Sequence, residues 1–533
     1  MIQNPIIPGF APDPSIVRIG EEYFLVTSSF HLFPGLPIYS SRDLVSWKHI
    51  GNAINRKSQL SLAGASTLLH NFSGPSKDRI VGTGGLWAPT IRHHKGTTYI
   101  VCTNTKHIHD DKNDNAKPNI QFENFIVHTN DIHSDNWSDP TYFDFWGIDP
   151  DLFFDDDGRA YVSGSSWKTD PGTIDCFEMD IQTGRKLSPQ RVIWEGHIKV
   201  IPEGPHIYKY GNWYYLLVSE GGTHEDHQIS IARSKSIWGP FEGCPQNPIL
   251  APSSARANQY IQYNGHGDLF QGRHGQWFLV CLAARKGPVG WCIMGRETFL
   301  AAVQWPQDAW PVIKQPLVLG HAPSKAQFLP APLRPELEFV GIRDLDRDCY
   351  QVLGGGRILE IRPSARDIHD RIGPISFVGK RQRTLDGQAT VALRTASDPL
   401  FAANGVVAGL AYYKDEHRYA RIAFDYSTST IFVETKKAND VPVTKARTDI
   451  MTTEITQGVE IDFCIKHTEA SIEFGYCAGD MSQNGWNIIA AMNTLELTDR
   501  DFTGPCIGVF STAGNADIFD GVTVTFLDFT VNS

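Results

Sequence analysis

Residues 149–161 read DPDLFFDDDGRAY, and they contain the pattern from which the fold can be predicted. An aspartate before a proline opens it, a short apolar run follows, and Gly158 stands nine positions after Asp149. That spacing fits one short strand and a turn whose glycine supplies a positive φ. Because Tyr161 lies in a second run beyond the turn, the stretch predicts an antiparallel β-hairpin.

The same pattern occurs five times between residues 13 and 300. Successive lead residues are 74, 62, 54 and 63 positions apart, enough chain for a four-stranded antiparallel sheet with its loops. The repeat therefore predicts a five-bladed β-propeller over residues 1–320. The five lead residues are Asp13, Trp87, Asp149, Glu203 and His266, and the five turn glycines are Gly20, Gly96, Gly158, Gly211 and Gly275.

The lead residues are candidates for a common site. The inner strands of a propeller line one central channel, so their starts lie together at one end of it. For a single copy the simpler interpretation is a turn opener, because aspartate before proline is common in turns. Three carboxylates, a tryptophan and a histidine at equivalent positions favour a site instead.

The pattern changes after residue 320. Four prolines between residues 323 and 335 mark a linker, and segments of alternating polarity follow, such as 419–424 and 459–463. Period-two alternation with Gly, Asn and Asp turns predicts a β-sandwich over residues 321–533. The chain is therefore expected to be nearly all β.

Composition excludes several classes of protein. The chain of 533 residues has 48 basic and 59 acidic side chains, hence a net charge of −11. Because it contains no run of basic residues that could bind phosphates, we expect no nucleic-acid partner. No run approaches the roughly 18 apolar residues of a membrane span. The nine cysteines form no C-x-x-C pair, which argues against zinc or a disulfide framework. Residues 1–5 lack the features of a secretory signal, which predicts a cytoplasmic protein, with secretion as the alternative if a leader was removed.

Three carboxylates at a channel mouth suit the cleavage of a glycosidic bond. One acid protonates the leaving oxygen, and one base activates water or attacks. A third carboxylate beside the acid raises its pKa and keeps it protonated near neutrality. Trp87, as a flat apolar face, suits the stacking of a sugar ring.

A set of motifs distributed along the chain carries a resemblance to a known family. The motifs are Asn4–Ile6, Gly9–Phe10, Pro12–Ile16, Trp87–Pro89, Ile148–Pro150, Phe154–Gly158, Glu203–Tyr208, Gly265–Asp268 and Gly295–Thr298. Together and in this order they resemble glycoside hydrolase family 43, and most closely its β-xylosidase and α-L-arabinofuranosidase members. The resemblance implies a five-bladed propeller followed by a jelly-roll, concanavalin-like β-sandwich.

The resemblance also implies roles for individual residues. It implies an inverting hydrolase in which Asp13 is the general base, Glu203 the general acid, and Asp149 the residue that tunes and orients Glu203. Inversion needs the base and acid carboxyls roughly 6.5–9.5 Å apart. Arg296 would hold substrate hydroxyls, the alternative being a surface cation on the last blade.

Further residues are implied as parts of the pocket. Phe30 and Trp87 would form aromatic walls, although for both a role in the hydrophobic core is the alternative. Phe502, within Asp501–Pro505, would extend from the sandwich and close one end of the cleft. His266 matches a channel histidine that contacts calcium or ordered water in some members. Calcium prefers oxygen ligands, so we expect no metal or required cofactor and keep calcium near His266 as the alternative.

The substrate and the partners follow from the same resemblance. We expect an exo-acting β-1,4-xylosidase with α-L-arabinofuranosidase activity on xylooligosaccharides; the alternative is mainly an arabinofuranosidase that debranches arabinoxylan. From a different class, a carbohydrate-binding propeller without turnover remains open, as does a homo-oligomer. Residues 31–35, HLFPG, depart from the family pattern after the phenylalanine. The insertions 59–85 and 107–124 are expected to shape the rim.

Overall fold

The structure, a computed structural model, is almost entirely β. It describes residues 4–71, 79–109, 118–256, 260–286, 292–314, 334–345, 347–437, 444–451, 460–479, 485–498, 500–514 and 522–532. Among these residues, no helix has both the length and the apolar character that crossing a membrane requires.

The first 313 residues contain the strands of the five blades and three further strands that belong to other sheets. These are β1 (Ser15–Ile19), β2 (Glu22–Val26), β3 (Leu32–Phe33), β4 (Gly35–Ser41), β5 (Lys48–Ile54), β6 (Thr67–Asn71), β7 (Arg79–Thr83), β8 (Gly85–Leu86), β9 (Thr90–His94), β10 (Thr97–Ile108), β11 (Asn119–Thr129), β12 (Thr141–Phe143), β13 (Gly147–Phe154), β14 (Ala160–Ser166), β15 (Thr173–Asp180), β16 (Arg185–Lys186), β17 (Arg191–Trp194), β18 (Glu203–Tyr210), β19 (Trp213–Glu220), β20 (Gln228–Ser234), β21 (Glu242–Gly243), β22 (Ile261–Gln271), β23 (Trp277–Arg285), β24 (Glu297–Gln304) and β25 (Val312–Ile313).

Five antiparallel sheets form the blades, as the repeat predicts. Their strand orders are β1-β2-β4-β5, β12-β11-β10-β8 with β9 on β10, β13-β14-β15-β16 with β17 on β15, β18-β19-β20-β21 and β22-β23-β24-β25. The inner strands β1, β9, β13, β18 and β22 each contact the next, and β22 contacts β1. The ring is therefore closed, and all five predicted turn glycines have a positive φ.

The amino-terminal segment joins the first blade to the fifth. The side-chain amide of Asn4 donates a hydrogen bond to the Leu300 carbonyl at 2.9 Å and accepts one from the Leu300 N–H at 2.8 Å. Ile7 pairs with Thr298 on β24. The backbone N–H of Ala11 donates to the carbonyl of Arg296 at 3.1 Å. Because residues 4–11 run alongside β24, the start of the first blade lies next to Arg296, the residue that precedes β24.

The second part of the chain is a two-sheet sandwich. Its elements are β26 (Val340–Ile342), β27 (Tyr350–Leu353), β28 (Ile358–Ile361), β29 (Ile375–Arg381), β30 (Gly387–Arg394), α1 (Pro399–Ala403), β31 (Val407–Asp415), β32 (Arg418–Asp425), β33 (Thr430–Lys437), β34 (Thr444–Met451), β35 (Glu460–His467), β36 (Ser471–Ala478), β37 (Asn487–Asn493), β38 (Arg500–Asp501), β39 (Cys506–Thr512) and β40 (Val524–Asn532). Short 3₁₀ helices lie at Ser253–Arg256, Pro335–Glu338, Arg347–Cys349, Gly354–Gly356 and Thr494–Leu497.

One sheet of the sandwich includes a strand from the propeller. Its order is β3-β26-β29-β39-β31-β32-β33-β34, and the facing sheet has the order β27-β28-β40-β30-β35-β36-β37. Leu32 and Phe33 of β3 pair with Ile342 and Gly341 of β26. The HLFPG departure noted in the sequence is thus the segment that the sandwich binds. The predicted boundary between residues 320 and 321 lies outside the described residues.

Apolar side chains from both parts form one cluster at their contact. Phe10, Phe30 and Leu32 of the propeller pack with sandwich residues such as Phe377 and Phe510, all less than 2% exposed. Burial on this scale contributes roughly 25 cal/mol for each Å² of apolar surface removed from water. The sandwich is therefore part of the structural support of the propeller mouth.

Two glycines, Gly295 and Gly504, allow a close approach between the two parts. A Cβ on Gly295 would lie 2.7 Å from Cα of Gly504, and a Cβ on Gly504 would lie 2.3 Å from the carbonyl oxygen of Met294. Gly295, with φ +71°, immediately precedes Arg296. Gly504 lies two residues after Phe502. The contact between the two glycines therefore positions the backbone that carries Arg296 and the backbone that carries Phe502.

Gly295→Ala is expected to lower the free energy of unfolding more than Gly275→Ala does. Both glycines have a positive φ, which costs a non-glycine residue about 1–2 kcal/mol. At Gly275 the new methyl group meets only a side-chain nitrogen at 3.7 Å, whereas at Gly295 it meets backbone. Urea unfolding of the three proteins measures the difference, and equal losses would contradict the importance of the contact.

Candidate active site

All eight predicted site residues line one pocket at the channel mouth. About 390 Å³ of free space lies within the pocket and its solvent-filled mouth together. The structure adds three further lining residues, Ala88, Ile148 and Thr223. The eight predicted ones are Asp13, Phe30, Trp87, Asp149, Glu203, His266, Arg296 and Phe502. Residues scattered over the whole chain therefore meet around one hollow.

The backbone at the strand starts shares an unusual conformation. Asp13, Asp149 and His266 have φ values of 51°, 53° and 42°, and in the fourth blade Gly204, after Glu203, has 56°. The pairing register shifts around the last three positions. Left-handed residues and bulges re-aim side chains that a regular strand would direct elsewhere, and they concentrate at functional sites.

Asp13 lies between a hydroxyl and a guanidinium. Its Oδ2 accepts a hydrogen bond from Ser28 Oγ at 2.5 Å, and its Oδ1 lies 3.4 Å from Nη1 of Arg296. Arg296 is 6% exposed, which excludes the alternative of a surface cation. These two neighbours fix the orientation of the Asp13 carboxyl in the pocket.

Asp149 is bound to the backbone next to Glu203. Its Oδ2 accepts a hydrogen bond from the Gly204 N–H at 3.0 Å. Burial raises the pKa of Asp149 well above its ordinary value, and the negative charges of Glu203 and Asp13 raise it further. A proton held among these carboxyls relieves their mutual repulsion, the condition that a general acid requires.

Glu203 has a buried histidine as its neighbour. Its Oε1 lies 3.3 Å from Nε2 of His227, which is fully buried, while the Glu203 side chain is 14% exposed to the pocket. The opposite edge of the His227 ring faces the carbonyl oxygen of Tyr263 at 3.4 Å. The sequence reasoning missed His227, since it follows no lead residue of the repeat.

Asp149→Asn is expected to stabilise the folded protein while lowering its activity. Because the pKa of Asp149 is raised on folding, its contribution to stability is present below the unfolded pKa of about 4 and is lost as the pH rises. The asparagine oxygen still accepts from Gly204 but carries no charge. The midpoint of thermal unfolding should therefore exceed that of the wild type increasingly above about pH 4.

Asp151→Asn serves as the matched control, two residues along the same strand. Asp151 accepts from Arg92 Nη2 at 2.7 Å and from the Ile207 N–H at 2.9 Å, so its loss removes one of the two carboxylates that compensate the Arg92 guanidinium, the other being Asp268. That variant should be less stable than the wild type. Stability changes of the same sign in both variants would contradict the electrostatic explanation for Asp149.

Three aromatic rings and one guanidinium form the walls. Ring centroids of Phe30, Trp87 and Phe502 lie 5.9–6.3 Å apart, and Cζ of Arg296 lies 5.5 Å from the Phe30 ring and 5.0 Å from the Phe502 ring. Arg296 also donates to Thr223 Oγ1 and to the carbonyl of Phe502. Phe30 is only 1% exposed, so it belongs both to the core cluster and to the wall.

The first insertion supports the segment that carries Phe502. Strands β6 and β7, within residues 59–85, form a three-stranded sheet with β38, which immediately precedes Phe502. Thr67 of the insertion donates to both carboxylate oxygens of buried Glu416 in the sandwich. The insertion predicted to shape the rim therefore connects the propeller to the sandwich.

His266 lies under the carboxylates as a neutral ring. Its Nδ1 is 4.0 Å from Asp13 Oδ1 and 3.9 Å from Asp149 Oδ2, and burial lowers its pKa to about 4. In the described residues no group of three or more His, Cys, Asp or Glu side chains has metal-binding geometry. Calcium near His266 stays a prediction.

A buried polar network below the pocket uses one residue from each blade. Arg92 donates to Asp268 at 2.9 Å, to Asp151 at 2.7 Å and lies 3.0 Å from His206 Nδ1, while Ser15 Oγ donates to Asp268 at 2.6 Å. The positive charge of Arg92 lowers the pKa of Asp268, against its burial. The sequence analysis missed this network, although Ser15, Asp151 and Asp268 all stand two positions after a lead residue.

Paired carboxyls in a sugar-sized pocket on a five-bladed propeller define a glycoside hydrolase. Residues 2–311 match glycosyl hydrolases family 43, and residues 336–531 match the beta xylosidase C-terminal concanavalin A-like domain. The chain belongs to glycosyl hydrolases family 43. It is an enzyme, and the comparisons give no support to a non-catalytic propeller.

Three similar proteins illustrate the range of the family. A xylosidase/arabinosidase of Butyrivibrio fibrisolvens is 36% identical over 421 residues, which cover 73% of this chain and 74% of that protein. A non-reducing end alpha-L-arabinofuranosidase of Bacteroides ovatus is 30% identical, covering 96% of this chain and 91% of that protein. The crystal structure of a xylan beta-1,4-xylosidase from Bacillus halodurans covers both chains fully, with 26% identity and a TM-score of 0.83.

Proposed function

We propose that the protein is an inverting, exo-acting hydrolase that releases single pentoses from xylooligosaccharides. In this proposal it is a β-1,4-xylosidase with α-L-arabinofuranosidase activity. The observation that carries the proposal is the meeting of Asp13, Asp149 and Glu203 in one pocket whose wall includes Phe502 of the sandwich. Matched relatives named for both activities support the pairing.

The proposed reaction is a single displacement. Asp13 accepts a proton from a water molecule, whose oxygen forms a bond to the anomeric carbon. Glu203 donates its proton to the glycosidic oxygen as the bond between that oxygen and the anomeric carbon breaks. The sugar leaves with inverted configuration, Asp13 ends protonated and Glu203 ionised, and exchange of one proton with solvent restores both.

The other pocket residues act on orientation in this proposal. Arg296, aligned by Thr223 and the Phe502 carbonyl, donates to hydroxyls of the sugar at the reacting position. Asp149 keeps the backbone after Glu203 in place through Gly204 and favours retention of a proton nearby. The aromatic rings offer apolar faces to the pentose.

Exo action follows from the shape of the pocket. Phe502 and Arg296, the residue that precedes β24, form one side of the hollow beside the carboxylates, and in this proposal they limit it to a terminal sugar. The alternative is an enzyme that mainly removes arabinose side chains from arabinoxylan; the Bacteroides ovatus relative, named for arabinofuranosides, supports it.

Time-resolved proton NMR tests the proposal directly. On 4-nitrophenyl β-xyloside, which releases a single sugar, the first product signal should be α-xylose, which mutarotates later; an initial β-xylose signal would contradict inversion. Initial rates on xylobiose and on arabinose-substituted xylooligosaccharides then rank the two activities. Faster release of arabinose than of xylose at equal substrate concentration would favour the alternative. A cytoplasmic location and a homo-oligomer stay predictions.

A further inference from the structure

Arg381, at the end of β29, is a buried cation without an acceptor for two of its nitrogens. It is 5% exposed, and its Nε and Nη2 have no hydrogen-bond partner. The contact recorded for its guanidinium is the ring of Phe10, 5.8 Å from Cζ. A buried charge with unsatisfied N–H groups is strongly unfavourable unless something compensates it.

The unsatisfied edge is the one that binds anions elsewhere in this chain. Through Nε and Nη2, Arg285 holds Glu297 at 2.7 and 2.8 Å, and Arg357 holds Asp528 at 2.8 and 3.0 Å. Two parallel N–H groups on one edge of a planar guanidinium match an anion bound side-on. In Arg381 both nitrogens of this edge are without a partner, and the side chain lies against Phe10 at the contact between propeller and sandwich.

The surroundings of Arg381 are positive. Arg383 lies beside it and donates to the Pro8 carbonyl at 2.7 Å and to Tyr39 Oη at 3.0 Å. The charges of Arg381 and Arg383 add to burial in lowering the pKa of His49 to about 3. Within the described residues, no carboxylate pairs with either arginine, so two guanidinium charges share one region without a counter-ion.

We propose that a small inorganic monoanion, chloride in particular, binds between the propeller and the sandwich at Arg381. Its ligands are Nε and Nη2 of Arg381, next to Arg383 and Tyr39. Arg383, two residues along the chain, is partly exposed to solvent. Neither the catalytic pocket nor the polar channel network includes any of these residues.

A small monoanion fits this position better than a larger ion. Arg381 is almost fully enclosed. Gly9 packs tightly against Gln382, the residue after Arg381: a Cβ on Gly9 would lie 1.9 Å from the Gln382 carbonyl oxygen. Chloride satisfies two N–H groups with one charge and needs no further donors. Phosphate or sulfate would bring several oxygen acceptors into a region with few other donors.

The ion would join the two segments that carry pocket residues. Phe10, against Arg381, lies three residues before Asp13, and its ring is 5.8 Å from that of Phe30. On the other side Arg381 pairs with Cys506, and the Gln382 N–H donates to the Pro505 carbonyl, three residues after Phe502. Anion binding at this point should therefore stabilise the contact that shapes the pocket.

A chloride titration of the full-length protein tests the proposal. Chloride replaces gluconate at constant ionic strength, and thermal unfolding is followed for the wild type, Arg381→Met and Arg362→Met. The wild-type midpoint should rise saturably by about 2–4 °C. Arg362 is exposed in the same domain, so Arg362→Met should respond as the wild type does.

Arg381→Met should not respond to chloride. In chloride-free buffer it should be at least as stable as the wild type, because the variant removes an uncompensated buried charge. An equal response of Arg381→Met and wild type, or no response of the wild type, would overturn the proposal. Sulfate, which does not fit the site, should act on all three proteins equally as a general salt effect. A chloride effect that is likewise equal in all three proteins would overturn the proposal.

Bromide in crystals of the wild-type protein provides a second, independent measurement. An anomalous peak within hydrogen-bond distance of Arg381 Nε and Nη2 would support the site, since bromide replaces chloride with similar geometry. Crystals in saturating bromide that lack this peak would overturn it. This measurement decides the question even if Arg381→Met fails to fold.

Discussion

Glu203→Gln is expected to lower kcat on xylobiose by about a thousandfold, within the usual range for the loss of a general acid. The same variant should hydrolyse 2,4-dinitrophenyl xyloside at close to the wild-type rate. A dinitrophenolate leaves without protonation, whereas the sugar hydroxyl of xylobiose does not. Initial rates on the two substrates distinguish a general acid from the other catalytic roles, because a better leaving group removes the need for the acid and for no other catalytic group.

Asp13→Asn should lose a similar factor on both substrates. Activation of water is needed whatever the leaving group, so an acidic phenol brings no recovery. Glu195→Gln is the control for Glu203→Gln, since Glu195 is exposed, pairs with Lys199 at 2.8 Å and lies eight residues before Glu203 in the segment between β17 and β18. It should keep the wild-type rate on both substrates.

Two outcomes would contradict the assignment of roles. Recovery of Asp13→Asn on the dinitrophenyl substrate, together with no recovery of Glu203→Gln, would exchange the acid and the base. Wild-type rates in both variants would remove the two carboxyls from the reaction altogether. Circular dichroism of each variant establishes that a lost rate does not come from a lost fold.

Removal of the sandwich, leaving residues 1–324, is expected to abolish the folded, active enzyme. Strand β3 lies in a sandwich sheet, and Phe10, Phe30 and Leu32 are buried against sandwich side chains. Truncation exposes these apolar groups and leaves the backbone of β3 unpaired. Soluble yield, circular dichroism and activity measure the result; a soluble, active propeller of normal exo preference would contradict it.

Phe502→Ala in the full-length chain separates support of the fold from a role in the pocket. Phe502 is partly exposed to the pocket, so its truncation should cost little stability but remove one wall and the ring beside Arg296. We expect kcat/KM on xylobiose to fall by about 10- to 100-fold, and Phe502→Leu, which keeps apolar bulk, to lose less. An unchanged kcat/KM in Phe502→Ala would exclude Phe502 from the substrate site.

The repeat predicted the blades because it is a local signal. One strand, one turn glycine and the next strand lie within about twenty residues, so the pattern of Asp149 to Tyr161 identifies a hairpin without knowledge of the rest. Five equally placed lead residues then predicted that Asp13, Asp149 and Glu203 would meet. The closed ring of inner strands is the reason that they do.

Other features depend on contacts between distant segments and have no periodic signature. The sequence could not assign Leu32–Phe33 to a sandwich sheet, because two residues carry too little pattern to identify a partner strand more than 300 positions away. His227 beside Glu203 belongs to no repeat position. The unsatisfied edge of Arg381 likewise exists only because two parts of the chain enclose it.

Period-two alternation and turn glycines act over a few residues, so the five blades, the sandwich and the carboxylates at the strand starts can be predicted from the sequence. Which groups face those carboxylates depends on contacts between distant segments and is visible in the folded chain alone. Burial raises the pKa of Asp149, Phe30 serves both core and wall, and Arg381 is left without a counter-ion. Desolvation and charge pairing depend on the groups that lie within a few ångströms in space, and the separation of two residues along the chain does not reveal how far apart they are in the folded protein.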